Sequence, residues 1–349
     1  MTEATIDAVK EVPTAERTHR YWPGEVNVLI GLVVICLVFE LLGWIQPIWR
    51  SDIAAQSFLL NPTRLSIIVG QVSITGIIAV GVTQVIITGG IDLSSGSVVG
   101  AAAMIAMSFA QSSTYARAVY PHLTDLPIVM PAVIAVICGA LAGFVNGALV
   151  AYTKVPSFIA TLGMMVTARG VANWYTRGQP ISFPTNGYTV FGSGLHPVLI
   201  FLAIAVLFQL VLRYTLYGRH TYAIGSNEQA ARVSGINVER HLLLVYTIAG
   251  ALAGVAALVL TSKNLTAQAG MGLMYELDAI AMAVIGGVSL SGGRGSIFGT
   301  VLGALIFGVI TSGFTFLGID AYYQQMIKGA IIVVAVVQDV YRQRLRGRA

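Results

Sequence analysis

Charge is what this sequence has least of: Asp, Glu, Lys and Arg make up 10% of its 349 residues, against roughly a quarter in soluble domains. With so few charges a soluble surface of this size cannot be built, and a mean hydropathy of +0.79 places the chain in a bilayer. Long polar stretches are missing too. From Val28 to Val340, apolar runs alternate with short polar or glycine-rich links, and no soluble segment of domain size is left over. There are only two cysteines, Cys36 and Cys138, both inside apolar runs, which excludes a disulfide framework or a cysteine metal site and assigns them packing roles. The five histidines, His19, His122, His196, His220 and His241, stand singly in tails and links. No metal-ligand set and no Ser-His-Asp arrangement emerges, so neither a metal site nor a catalytic residue is expected. The net charge of +5 is thinly spread with no stacking aromatics beside it, which argues against a nucleic-acid partner.

What is present is a series of apolar runs near the length of about 20 residues that a helix needs to cross the hydrocarbon core. Ten are expected, at 27–46, 64–88, 94–110, 128–152, 157–176, 197–214, 241–262, 276–291, 295–317 and 322–341. Such runs make an all-α, polytopic helix bundle, because a barrel would show short alternating segments. An even count puts both ends on one side, and Arg342, Arg344, Arg346 and Arg348 mark that side as cytoplasmic. Thirteen of the 20 Lys and Arg residues then fall inside, including Lys154, Arg213, Arg219, Arg232, Arg240 and Arg294. Five fall outside (Arg50, Arg64, Arg117, Arg177 and Lys263), and Arg169 and Lys328 lie within runs. Residues 1–26 have no apolar core and read as a cytoplasmic tail, not a signal peptide. Residues 27–341 form the transmembrane part and 342–349 a basic tail. Glycines four apart, Gly139, Gly143 and Gly147 with Gly299 and Gly303, are expected to let helices approach closely.

Three places carry more. "GGIDLSSGS" at 89–97 is echoed by "GGVSLSGGRGS" at 286–296, each a glycine-serine break before a new apolar run. The runs beside them, 94–110 and 276–291, are short, the sequence mark of a solute path built from interrupted helices. Ser94 and Ser296 stand ready as helix caps. The competing reading is a pair of tight turns at the inner face. Second, the polar link 215–240 contains "NEQAARV", where Asn227 can cap, Glu228 and Arg232 pair across one turn, and Ser234-Gly235 stops the helix. Two turns are marginal alone in water, so the bundle or a soluble partner must hold them. Third, Glu40, Asp92, Arg169, Glu276, Asp278 and Lys328 are ionisable at membrane depth. Glu276 and Asp278 begin a run and Lys328 can snorkel, which leaves Asp92 and Arg169 as the stronger candidates. The candidate solute pathway is Asp92, Ser94, Asn146, Arg169, Ser291 and Ser296.

Leu290 to Gly293 spell "LSGG", the signature tetrapeptide of ATP-binding-cassette ATPases, but no Gly-x-x-x-x-Gly-Lys-Ser/Thr octet exists anywhere in the chain. The match is a turn, not a nucleotide site. The whole set of motifs resembles the permease subunit of bacterial ATP-binding-cassette sugar importers, similar to the ribose, xylose and inositol permeases. It rests on 89–97, "VPSFIATLGMM" at 155–165 with "ARG" at 168–170, "GSNEQAARVSGINV" at 225–238, "YELDAIAMAVIGGVSLSGGRGSIFGT" at 275–300 and "YYQQMIKGAIIVVAV" at 322–336. Gly225-Ser226-Asn227 departs from the expected Gly-Gly-Asn. The resemblance implies a homodimer in the inner membrane that docks an ATPase subunit inside and a periplasmic solute-binding protein outside. This chain then catalyses no bond chemistry and binds no cofactor, ATP and Mg being used by the ATPase. It also implies that Asn227, Glu228, Ala230, Ala231, Arg232, Gly235 and Ile236 lie in the segment the ATPase grips. The solute is expected to be a sugar or polyol, with inositol favoured. Rival readings are a secondary transporter driven by an ion gradient and an amino-acid permease of the same superfamily.

Overall fold

The computed structural model describes residues 24–48 and 55–346, so most of the expected tail 1–26, Arg50 and the last three residues lie outside the described part. Twelve α-helices run through it: α1 Gly24–Ile45, α2 Pro62–Ile87, α3 Ser95–Ser108, α4 Val129–Tyr152, α5 Ser157–Tyr175, α6 His196–Tyr214, α7 Leu216–Ser226, α8 Glu228–Val233, α9 Val238–Asn264, α10 Tyr275–Ile285, α11 Ile297–Phe316 and α12 Ala321–Arg346. Each of the ten predicted runs coincides with a helix. Six of the described helices are long and apolar enough to cross a membrane: α1, α2, α4, α6, α9 and α11.

Local chemistry explains the boundaries. Asn61 accepts a hydrogen bond from the Arg64 amide and Pro62 opens α2, a position where its missing N–H costs nothing. Asn237 caps α9 in the same way through the Arg240 amide. The centre of the bundle is α2, α9 and α11, which each bury 67% of their most apolar stretch, whereas α1, α4 and α6 bury 11%, 28% and 22% and lie on its outside. Cys36 and Cys138 are free thiols packed against the core, as expected.

The predicted small-residue seams are real. A Cβ on Gly139 would run into the Gly250 carbonyl, one on Gly250 into the Gly139 carbonyl, and one on Gly254 into the Ala135 carbonyl, so α4 and α9 touch backbone to backbone. Gly299 and Gly303 meet the Gly286 and Met282 carbonyls in the same manner and bring α11 against α10.

The predicted run 276–291 is not a full span. Its helix α10 ends at Ile285, where Gly287 takes φ +91, and its 11 residues cover about 16 Å, half of the roughly 30 Å core. At 14 residues α3 is also short. At the bundle end where α3, α5 and α9 finish, a two-stranded antiparallel ladder pairs Ile181–Ser182 (β1) with Thr266–Ala267 (β2), and Gln111 bridges to Pro184. The basic tail is helical as far as Arg346, because α12 continues through it.

Candidate functional site

The first glycine-serine break dips into the bundle. Asn146, six residues or about 9 Å from the end of α4, donates from Nδ2 to Ser94 Oγ at 2.8 Å. Ser94 in turn donates its Oγ–H and its amide to Asp92 Oδ1, at 2.7 and 2.8 Å. Ser94 is therefore not the side-chain cap expected of it: Asp92 takes its hydroxyl proton, and α3 begins without a side-chain cap. The "VPSFIAT" motif acquires a physical role here. Ser157 and Thr161, one turn apart on α5, accept from the amides of Ile91 and Leu93 at 3.1 and 3.2 Å and satisfy backbone that the break leaves open.

Further along α3, glycines make room for charge. A Cβ on Gly96 would collide with Glu276 Oε2, and one on Gly100 would lie 2.9 Å from Arg169 Nη1. Arg169 donates from Nη1 to the carbonyls of Ala269 and Met271, the latter at 2.9 Å, and so anchors the turns leading into α10. Glu276, set aside in the sequence as the start of a run, is 6% exposed. Ser95 Oγ, Asn146 Oδ1, Arg169 Nη2, Tyr246 OH and Glu276 Oε2 are buried with no hydrogen-bond partner among the described residues. Buried polar atoms are normally paired, so a concentration of open ones along the first turns of α3 marks a place for water or a polar solute. Arg169→Met would strand the Ala269 and Met271 carbonyls, at about 1–3 kcal/mol for each buried acceptor left open. Its melting temperature in detergent should fall clearly below wild type; an unchanged value would contradict the anchoring role.

Ser291 and Ser296 belong elsewhere. Ser296 caps α11 as predicted, accepting from the Gly299 amide at 3.0 Å, and donates to Glu25 Oε1 at 3.2 Å, while Ser291 is exposed in the turn. The structure thus joins Asp92, Ser94 and Asn146, places Arg169 of α5 beside Gly100 in a later turn of α3, and leaves Ser291 and Ser296 apart. The two breaks nevertheless touch. The Gly293 amide donates to the Ile87 carbonyl at 2.8 Å, and the C-terminal turn of α7 presses on both, since a Cβ on Gly225 would strike that same carbonyl. Tyr222 Oη donates to the Gly295 carbonyl at 2.8 Å and Tyr217 Oη to Gln84 Oε1 at 2.8 Å. The first half of the polar link is therefore a helix packed on the bundle, not a free connection. His220 and His241, expected singly, come together here with ring centroids 5.8 Å apart, and His241 shares a 2.9 Å hydrogen bond with Thr221.

From α7 the chain turns into α8, built as the sequence predicts. Asn227 Oδ1 accepts from the Ala230 amide at 2.9 Å, Glu228 pairs with Arg232 at 2.7 Å, and Gly235 ends the helix at φ +85, a conformation that glycine adopts freely. Ala231 is buried with Ile224, Val238, Leu242 and Ala151, and Ile236 packs on that cluster. Arg232 also pairs with Glu239, and Lys154 reaches the same carboxylate at 3.0 Å, which ties α8 to α9 and to the α4–α5 loop. These carboxylates, Glu228 first, hold the Arg232 guanidinium above its ordinary pKa. The bundle supplies the support that two turns require. The opposite face remains open, with Val233 91% exposed.

A cavity of about 300 Å³ lies between α2, α9, α10, α11 and α12, lined by Gln71, Thr75, Lys263, Asn264, Tyr275, Asp278, Phe307, Thr311 and Lys328 among others. Lys328 does not simply snorkel: it pairs with Asp278 at 3.5 Å and stands over the Phe307 ring. The sequence reading missed this site because five elements contribute one or two polar residues each. Among the described residues no group of three His, Cys, Asp or Glu side chains is placed to hold a metal ion.

The family described as branched-chain amino acid transport system / permease component matches residues 64–336. The chain is 41% identical over 292 residues to the galactose/methyl galactoside import permease protein MglC of Salmonella typhimurium, covering 80% of this chain and 87% of that one. It is 41% identical over 321 residues to the ribose import permease protein RbsC of Bacillus subtilis, covering 89% and 91%. With RbsC of Escherichia coli K12 the identity is 37% over 331 residues, covering 92% and 95%. No solved structure matches the chain.

Proposed function

The chain belongs to the family of branched-chain amino acid transport system permease components, and from that premise we propose that it is the membrane-spanning subunit of a binding-protein-dependent importer of sugars or polyols, powered by a separate ATPase. The observation that carries this reading is α8: a two-turn helix capped by Asn227, held from behind by Ala231 and Ile236, and presenting Glu228, Arg232 and Val233 to solvent. Such a helix has no packing reason to project, and it joins α7, whose last turn bears on both glycine-serine breaks. ATP-driven closure of two ATPase subunits pulls on α8, α7 carries the displacement to Ile87 and Gly293, and two copies of the bundle alternate between outward and inward access. Both termini lie in the cytoplasm, and the membrane is a bacterial inner membrane.

The family's description names branched-chain amino acids, while the relatives at 37–41% identity are named for galactose and ribose. The sugar reading follows the relatives, and inositol stays within it as a cyclic polyol of similar size and hydroxyl density. Asp92, Ser94 and Asn146, with the open atoms along α3, form the polar lining of the inner half of the path. Affinity capture tests the docking face. The detergent-solubilised chain should co-elute with its ATPase subunit, and Val233→Asp should lose that subunit while eluting as an intact permease; co-elution unchanged by Val233→Asp would remove α8 as the docking element.

A further inference from the structure

The cavity between α2, α9, α10, α11 and α12 has no part in the mechanism above, and its walls do not suit lipid. Acyl chains cannot satisfy Gln71, Thr75, Asn264, Asp278 or Lys328, and ionisable groups at such depth face water, one another or a polar solute. Asp278 and Lys328 are 14% and 24% exposed and meet at 3.5 Å, a long separation that leaves the carboxylate oxygens and ammonium protons able to serve another partner. Thr75 and Thr311 spend their hydroxyl protons on the Gln71 and Phe307 carbonyls, at 3.3 and 2.9 Å, and so offer lone pairs. The lining mixes donors and acceptors, with the ammonium groups of Lys263 and Lys328 set against the Asp278 carboxylate. That mixture complements a molecule whose groups are each both donor and acceptor, which is the description of a polyol. About 300 Å³ corresponds to roughly ten waters and sits at the small end of ligand sites, enough for one monosaccharide. The half-length helix α10 begins at its wall with Tyr275 and Asp278 in the first turn, as in transport proteins that interrupt helices to bring polar groups to mid-depth.

We infer that this cavity is a binding site, within the permease itself, for a neutral polyhydroxylated solute of monosaccharide size, with Asp278 and Lys328 gripping its hydroxyls. The inference rests on the permease reading and adds a residence point in the half of the path that the basic-residue split assigns to the outside. It gives the subunit a selectivity of its own beyond that of a binding protein.

Thiol protection tests it. In a Cys36→Ser, Cys138→Ser background, Thr311→Cys places one thiol in the cavity wall; the variant is assembled with its ATPase and binding protein in proteoliposomes. The rate of reaction with a membrane-impermeant methanethiosulfonate added outside is then measured with and without galactose, ribose or myo-inositol, and with gluconate as an anionic control. The expected result is a thiol that reacts and is slowed at least threefold by one of the three, with protection lost when Asp278→Asn or Lys328→Met is added. No reaction, equal rates with and without all three solutes, protection by gluconate alone, or protection that survives both added substitutions would overturn the inference. ATP-dependent uptake in the same vesicles separates the two readings: uptake without protection overturns the cavity site alone, and no uptake of any of the three overturns the sugar-permease reading together with it.

Discussion

Gly250→Val is expected to abolish recovery of folded protein. The α4–α9 seam is the most extensive helix–helix contact among the described residues, and a Cβ at 250 would strike the Gly139 carbonyl with the Gly143 amide 2.8 Å away. Backbone atoms cannot rotate aside as a side chain can. Relief requires moving two helices apart along a seam that also includes Gly143, Gly147 and Gly254. Overpacking of a well-filled core costs about 1–3 kcal/mol even where side chains can yield. Here they cannot, and the loss of the close approach removes the van der Waals contact that holds helices together in lipid. Detergent-solubilised Gly250→Val should elute as aggregate, while Gly163→Val, on a glycine with open space around it, should elute as wild type. A monodisperse Gly250→Val with unaltered melting temperature would contradict the packing described.

The second large effect concerns transmission. Gly235→Pro is expected to reduce transport at least tenfold while leaving expression, elution profile and the basal ATP hydrolysis of the assembled complex in place. Proline fixes φ near −65° where Gly235 has φ +85, and it removes the amide that donates to the Arg232 carbonyl at 3.0 Å. The distortion stays local, because nothing lies within 4 Å of the position a side chain would take. Glu228→Lys should act in the same direction by a different route, exchanging the 2.7 Å pair with Arg232 for like charges one turn apart and placing a cation at the helix start. Parallel assays of solute uptake and phosphate release check both variants. Normal uptake by either would remove α8 from the coupling path.

Local features were the most legible. The start, charge pair and stop of α8 follow from nine consecutive residues, Asn227 to Gly235, and every one of those interactions is short-range. Run lengths located a helix at each of the ten expected places, six of them long and apolar enough to cross a membrane, since apolar continuity is a property of sequence alone. What sequence could not show was who meets whom. Arg169 holds carbonyls a hundred residues away, Ser157 and Thr161 serve amides nearly seventy residues upstream, and Asp278 finds Lys328 fifty residues on. Glu276 and Asp278 looked like interfacial residues because a run began there; α10 begins inside the bundle, and so Glu276 is buried and Asp278 half-buried. The echo between the two breaks was readable, but it suggested equivalence. The structure gives them different tasks, one lining the bundle interior beside α3 and the other bearing on α7.

The central claim is that this chain moves a polyhydroxylated solute only as one part of an ATP-driven assembly. The direct measurement is uptake of labelled galactose, ribose and myo-inositol into proteoliposomes holding the chain with its ATPase and binding protein, beside vesicles holding the chain alone under a pH or sodium gradient. The account predicts accumulation of at least one solute in the complete system, lost when ATP, the ATPase or the binding protein is omitted, and none in the chain alone. Gradient-driven accumulation by the chain alone, indifferent to ATP, would contradict it.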